Sequence, residues 1–323
     1  MRRTLLAAAI ALGAALPAAA FTPNDVECIA PANPGGGWDF TCRTVGRLLH
    51  EEGLVPGPVK VTNMPGASGA VAYAHIMADR SADENLIVAT STVGITNIAQ
   101  GRYPAGVDAM RWLAMLGADV AVLMVAKDSP YNSLAELLDA VKADPTAFVA
   151  GGSSSIGGWD HIRLLMMVEA AGVPTDKLSS LRWVEYSGGA DAVTQLMGKH
   201  VGIVVTDIGE IGGFIQSGDV KPLAVMSEAR LKAYPDIPTA REQGIDAIGY
   251  NWRGFYMGGK VSEDAYNGWV AIMEKLYNSD AWQKAATEAG LTPIWRGGAE
   301  FEAFVRDSEK RAREISKAIG VIK

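Results

Sequence analysis

Cysteine and histidine are scarce in this 323-residue chain: two cysteines, Cys28 and Cys42, and four histidines, His50, His75, His161 and His200. None of them shows metal-ligand spacing, and two cysteines without a nearby histidine make an incomplete zinc site. No metal or cofactor is expected. Both Gly-Lys pairs, Gly198-Lys199-His200 and Gly259-Lys260-Val261, lack the hydroxyl residue that a phosphate-binding loop needs. No serine between Ser153 and Ser155 has glycines at nucleophile-elbow spacing. The chain also lacks a basic excess, with 29 Lys and Arg against 36 Asp and Glu. That balance argues against nucleic acid or an anionic membrane as partner. Nowhere does an apolar run reach the roughly 20 residues of a spanning helix.

What is present begins at the N-terminus. Met1-Arg2-Arg3, the apolar run Leu5 to Leu16 and Ala18-Ala19-Ala20 form the three parts of a secretory signal. Residues 1–20 are therefore expected to be removed, leaving an exported protein with a net charge of −9 from 27 basic and 36 acidic residues. In an oxidising compartment Cys28 and Cys42 are expected to form a disulfide, with two buried thiols as the alternative.

The remaining length suits two domains. Strand-like and helix-like segments alternate, which predicts parallel sheets covered by helices. Crossings near 126 and 250 would make one domain of 21–126 plus 250–323 and a second of 127–249. Strands are read at Arg111 to Leu116 and Val120 to Ala126, and a helix is read after the capping sequence Thr239-Ala240-Arg241-Glu242. The segment from Tyr250 to Gly259 reads only as aromatic and glycine-rich.

Several predicted strands empty into glycine- or hydroxyl-rich turns at helix starts. They are Pro34-Gly35-Gly36-Gly37-Trp38-Asp39, Asn63-Met64-Pro65-Gly66-Ala67-Ser68-Gly69, Thr90-Ser91-Thr92, Gly151 to Gly158, Ser187-Gly188-Gly189 and Thr206-Asp207. Free backbone N–H groups and the helix dipole make such turns anion sites. In open sheets they gather at one edge, where ligands bind. Asp39 and Asp207 read first as N-caps, and second as acceptors for a ligand hydroxyl or an ordered water. Arg253 could pair with a carboxylate, and Trp38 and Trp252 could wall a cleft. The competing enzyme reading is an exported hydrolase that uses one of Ser153 to Ser155 with His161.

Taken together, Cys28-Ile-Ala-Pro-Ala-Asn-Pro-Gly-Gly-Gly-Trp-Asp-Phe-Thr-Cys42, Asn63-Met64-Pro65-Gly66-Ala67, Arg111-Trp112-Leu113-Ala114 and Arg253-Gly254-Phe255-Tyr256 closely resemble the Bug-type periplasmic receptors of tripartite tricarboxylate transporters, above all the TctC-type members that bind citrate and tricarboxylates. The resemblance covers nearly the whole mature chain. It implies a two-domain α/β binding protein of the Venus-flytrap kind, non-catalytic and monomeric, closing on a citrate-like carboxylate and docking on membrane permease subunits. A sensor that presents its closed form to a signalling partner is the other role it allows. It assigns carboxylate contacts to Gly36, Gly37, Trp38 and Asp39 in one domain and to Ser153, Ser154 and Ser155 in the other. Ser68, Ser91, Ser187 and Asp207 lie in adjoining turns, and Arg253 matches an arginine of the tricarboxylate subgroup. Trp38 departs from the usual Phe or Ser, and Ser91-Thr92 from a glycine-containing turn.

Overall fold

The computed structural model describes residues 21–34, 37–186 and 188–323. Gly36, Ser187 and residues 1–20, where the leader is expected, lie outside the described residues. The chain begins β1(Glu27–Ala30), α1(Gly37–Glu51), β2(Lys60–Asn63), α2(Ala70–Asp79), β3(Leu86–Ser91) and α3(Thr92–Ala99). In α1 the residues Thr41, Cys42, Val45, Leu48 and Leu49 are buried, the stripe expected of an amphipathic helix laid on a sheet. Cys42 on that stripe forms a disulfide with Cys28 of β1, with Cα atoms 5.8 Å apart. β3 is buried at every position, as suits a central strand covered on both faces.

The next strand, β4(Met110–Ala126), is a single element of 17 residues. The sequence predicts two strands there, because Gly117 and Asp119 look like an interruption. Instead the strand runs through, with bulges between Trp112 and Ala114 and between Met115 and Gly117. Then follow α4(Leu134–Ala143), β5(Val149–Gly152), α5(Trp159–Ala170), β6(Arg182–Glu185), α6(Gly189–Met197), β7(Ile203–Asp207), α7(Gly212–Ser217) and β8(Val220–Val225). The predicted helix after Thr239 is one 3₁₀ turn, Arg241–Gln243. Its capping sequence closes as read: Glu242 N–H donates to Thr239 Oγ1 at 3.1 Å, and Thr239 N–H to the Glu242 carboxylate at 2.7 Å. The chain ends in β9(Tyr250–Gly258), α8(Glu263–Tyr277), α9(Asp280–Glu288), β10(Arg296–Gly297) and α10(Gly298–Ala318).

The strand order is β2-β1-β3-β9-β4-β7-β5-β6, with β8 and β10 also paired to β4. Two parallel trios, β2-β1-β3 and β6-β5-β7, match the predicted alternation. Between them lie antiparallel β9 and β4, so the sheet is mixed rather than wholly parallel. β4 pairs with β9 from Met110 to Val120 and with β7 and β8 from Ala121 to Ala126. It thus passes from one half-sheet into the other. α10 makes the same passage: Phe301 and Val305 pack in an apolar cluster with Trp112 and Trp252, while Ala312 and Ile315 pack with Ile162 and Leu165.

Candidate functional site

Between the two half-sheets lies a cavity of about 320 Å³. One wall comes from α3 and the chain beyond it: Thr96, Asn97, Gln100 and Arg102. α3 begins where β3 ends, and Ser91 caps it by accepting from Val93 N–H at 3.3 Å. Ser68 joins this wall from a backbone turn in which Ala67 and Ser68 take φ of +44° and +52°. Such conformations are strained for residues with a Cβ. Tyr103 holds this one by donating its hydroxyl to Ser68 O at 2.6 Å.

The facing wall is the turn after β5, with Ser153, Ser154, Ser155 and Asp160, joined by Asp207 and Glu210. Here the polar groups form a chain. Ser153 donates both its N–H, at 2.8 Å, and its hydroxyl, at 2.6 Å, to Asp160 Oδ2, and Asp160 N–H donates to Ser154 Oγ at 3.0 Å. Arg163, fully buried, bridges Asp160 and Asp207 through its two terminal nitrogens. Asn251 Nδ2 donates to Asp207 Oδ2 at 2.7 Å, and Arg253 Nη1 to Asn251 Oδ1 at 3.0 Å. Residues two apart on a strand share a face, so Asn251 and Arg253 project from β9 together. The chain of bonds therefore runs from Arg253 to the serine turn.

Burial shapes the carboxylates. Asp119, half-buried on β4 where it changes partners, is pushed up to about 7 by loss of water and then by the Asp207 charge, with Gly209 N–H and the arginines opposing. Burial also raises Glu210, against the Gly189 N–H that donates to it at 2.6 Å. Because Asp119 binds its proton more tightly folded than unfolded, its contribution is complete below about pH 4 and is lost as pH rises to about 7. Asp119→Asn should therefore raise the melting temperature near pH 7.5 and change little near pH 4. A pH-independent shift in a melting series would show that Asp119 is not the titrating group.

His161 behaves as a structural residue. It is buried, lies against the Trp183 ring at 4.9 Å between centroids and accepts from Gly157 N–H at its Nδ1 at 3.0 Å. Burial pushes it down to about 4, so it is neutral at pH 7. With Nδ1 accepting, its proton sits on Nε2, which has no partner among the described residues. The one His161 lone pair is taken by Gly157 N–H and does not face Ser153, Ser154 or Ser155, so the serine–histidine pair that the hydrolase reading requires is not formed.

The cavity brings together Ser68, Ser153, Ser154, Ser155 and Asp207 of the expected set. Ser91 lies behind it as a cap. Gly37 starts α1, where a Cβ would lie 3.9 Å from Arg253 Nη2, so this pair forms a neighbouring corner linked through Asn251. Trp38 lies against Gly69 of the second glycine turn. Asp39 is not an N-cap: inside the first turn of α1 it accepts from Arg43 at 3.0 Å and from Asn63 at 2.8 Å, tying the helix to the end of β2. Asp207 likewise caps nothing with its side chain and serves Arg163 and Asn251. Trp252 is fully buried on the face of β9 opposite Asn251 and Arg253. Arg102, Asn97, Arg163 and Glu210 escape the sequence reading, since none belongs to a glycine turn. For Asn97 and Arg102 the signal that could have found them is the polar set Thr96, Asn97 and Gln100 beside the apolar Ile95, Ile98 and Ala99; Arg163 and Glu210, on other elements, carry no such signal.

Among the described residues no helix is long and apolar enough to cross a membrane. A curated relative, a UPF0065 protein of Bordetella pertussis, is 25% identical over 99% of this chain and 97% of its own. Among solved structures, a TctC solute binding protein from Polaromonas superposes with a TM-score of 0.80 at 24% identity, over 90% of this chain and 97% of that one. Two Rhodopseudomonas palustris proteins, MatC solved with malate and another solved with adipate, give TM-scores of 0.60 and 0.66 at 20% and 18% identity, each over 92% of this chain and 98% and 97% of theirs. These likenesses show the two-domain binding-protein fold. Residues 50–321 match the model of the tripartite tricarboxylate transporter family receptor, TctC. The chain belongs to that family of periplasmic solute receptors and is not an enzyme.

Proposed function

We propose that this receptor captures a hydroxylated di- or tricarboxylate of malate-to-citrate size and delivers it to the membrane permease of a tripartite tricarboxylate system. The leader 1–20 would export it, and the lobes 21–126 plus 250–323 and 127–249 would close on the ligand. The observation that carries the reading is a 320 Å³ cavity lined by Arg102 on one side and, on the other, by Ser154 and Ser155 of the turn leading into α5 and by Gly158 and Trp159 at its start. A cation and a helix N-terminus that face each other suit a ligand with a carboxylate at each end. Arg253 beside Gly37 offers a further anchor, which a tricarboxylate could use.

The acidic residues on the same wall narrow the choice. Asp160 and Asp207 share the Arg163 charge, and burial raises the Glu210 carboxyl above its ordinary value. These acceptors suit a ligand hydroxyl and disfavour a third unpaired anion. The malate and adipate complexes of the two fold relatives support a dicarboxylate, and the acceptor wall favours the hydroxylated one.

Calorimetry with malate, citrate, adipate and acetate tests the reading. Malate or citrate should bind at least about tenfold more tightly than adipate, one charge-assisted hydrogen bond's worth. Arg102→Ala should weaken the dicarboxylate about 10- to 100-fold and leave acetate nearly unchanged. Equal losses for both would remove Arg102 from the site, and no binding of any of the four would overturn the ligand class.

A further inference from the structure

One of the anion turns read from the sequence, at Gly188-Gly189, is already filled. It opens α6, a helix of nine residues whose first residue, Gly189, is buried and whose N-cap, Gly188, brings no side chain. The anion is the protein's own. Glu210, in the 3₁₀ turn Ile208–Glu210 after β7, accepts from Gly189 N–H at its Oε2 at 2.6 Å. A Cβ on Gly189 would lie 2.5 Å from that oxygen and 2.6 Å from Thr206 Oγ1, so only glycine lets the carboxylate reach the backbone here. Thr206 is wholly buried, and its Oγ1, at that same point, has no partner among the described residues. Glu210 also differs from its neighbours on the cleft wall. Asp160 and Asp207 are paired with Arg163, whereas Glu210 makes no ion pair among the described residues and leans on the α6 backbone alone.

Glu210 lines the cleft beside Ser153, Asp207 and Asn251, so the turn it fills borders the space a ligand would enter. A second carboxylate at the same N–H group would meet the Glu210 charge, with Asp191 in the first turn of α6 and Asp160 and Asp207 close by. No ligand carboxylate can use the turn while Glu210 does. The position itself holds a carboxylate among those acids, because Glu210 places one there. We propose that Glu210 determines how many carboxylates the cleft accepts: by filling the α6 turn with its own, it favours a dicarboxylate and disfavours the third carboxylate of a citrate-like ligand. This rests on the carboxylate reading of the cleft and narrows it.

Calorimetry with citrate and malate compares the unsubstituted mature chain with Glu210→Ala and Glu210→Gln. Glu210→Ala opens the turn, so citrate should bind more tightly than to the unsubstituted protein and gain about tenfold or more on malate, the worth of one charge-assisted hydrogen bond. Glu210→Gln keeps an oxygen for Gly189 N–H and loses only the charge, so its gain should be smaller. An unchanged or falling preference for citrate in Glu210→Ala, or an equal gain in Glu210→Gln, would overturn the proposal. The Gly189 amide reads the turn without either ligand. In ¹H–¹⁵N spectra acetate should shift it saturably in Glu210→Ala and leave it in place in the unsubstituted protein; an unmoved amide in the variant would overturn the proposal as well. Failure of citrate and malate to bind either protein, with the acetate shift present, would overturn the ligand class and not the part Glu210 plays at the turn.

Discussion

Arg163→Met should cost about 3–5 kcal/mol of folding stability and remove ligand binding altogether. Arg163 is wholly buried and holds Asp160 and Asp207, both nearly buried themselves. Without it two carboxylates face each other in a low-dielectric interior, where desolvation is severe and nothing offsets their repulsion. Binding fails for a separate reason. Asp160 fixes the Ser153 and Ser154 turn, and Asp207 fixes Asn251 and through it Arg253, so one substitution releases both ends of the bonded chain. Urea denaturation and calorimetry measure the two effects. A triple variant with Asp160→Leu and Asp207→Leu added should recover much of the stability and none of the binding, because apolar replacement of a buried ion cluster is often tolerated. A loss below about 1 kcal/mol in the single variant would mean that water reaches the cluster.

Breaking the Cys28–Cys42 bond should cost about 3 kcal/mol, the loop-closure value for a cross-link spanning about 15 residues. The bond joins β1 to the buried stripe of α1, and both sulfur-bearing residues are fully inaccessible. Cys28→Ala with Cys42→Ala preserves the apolar packing, so the loss reports mainly on the cross-link. The urea midpoint of the variant should match that of the unsubstituted protein in reductant, and oxidised protein should stand well above both. Ligand affinity should also fall, because the enclosed segment contains the glycine turn and the start of α1 beside Arg253. If stability drops and affinity does not, that corner lies outside the ligand's reach.

Much of the fold is legible because it is written in short-range patterns. Cys28 and Cys42 flank one turn and are paired. Ser133 and Ser262 start helices by accepting from Glu136 and Ala265 N–H groups. Tyr250 to Gly259, which reads only as aromatic and glycine-rich, turns out to be β9, where Gly254 has to pass close to the backbone of Ala114. β4 reads as two strands for a related reason: Gly117 suggests a break, but it is where Thr292 and Pro293 press against the strand and a side chain would not fit. Glycine reports close approach as readily as a turn, and only the tertiary structure separates the two.

The site was legible by halves. The second-lobe turn could be read from its serines, but Arg163 looks like any charged residue on an amphipathic helix until the fold encloses it. Arg102 and Asn97 are bonded to each other at 3.1 Å at the end of α3, and only the opposing lobe makes that end a wall. Contacts made across a cleft leave no spacing in the sequence.

The passage of β4 through both half-sheets also bears on how the molecule comes apart. A strand whose first eleven residues belong to one half and whose last six belong to the other cannot be melted out of one half without fraying the other. With α10 packed on both cores as well, neither half is an autonomous cooperative unit. The closure proposed for ligand capture would therefore be a bending about β4 and α10, with neither half-sheet unfolding to expose a lobe to proteases.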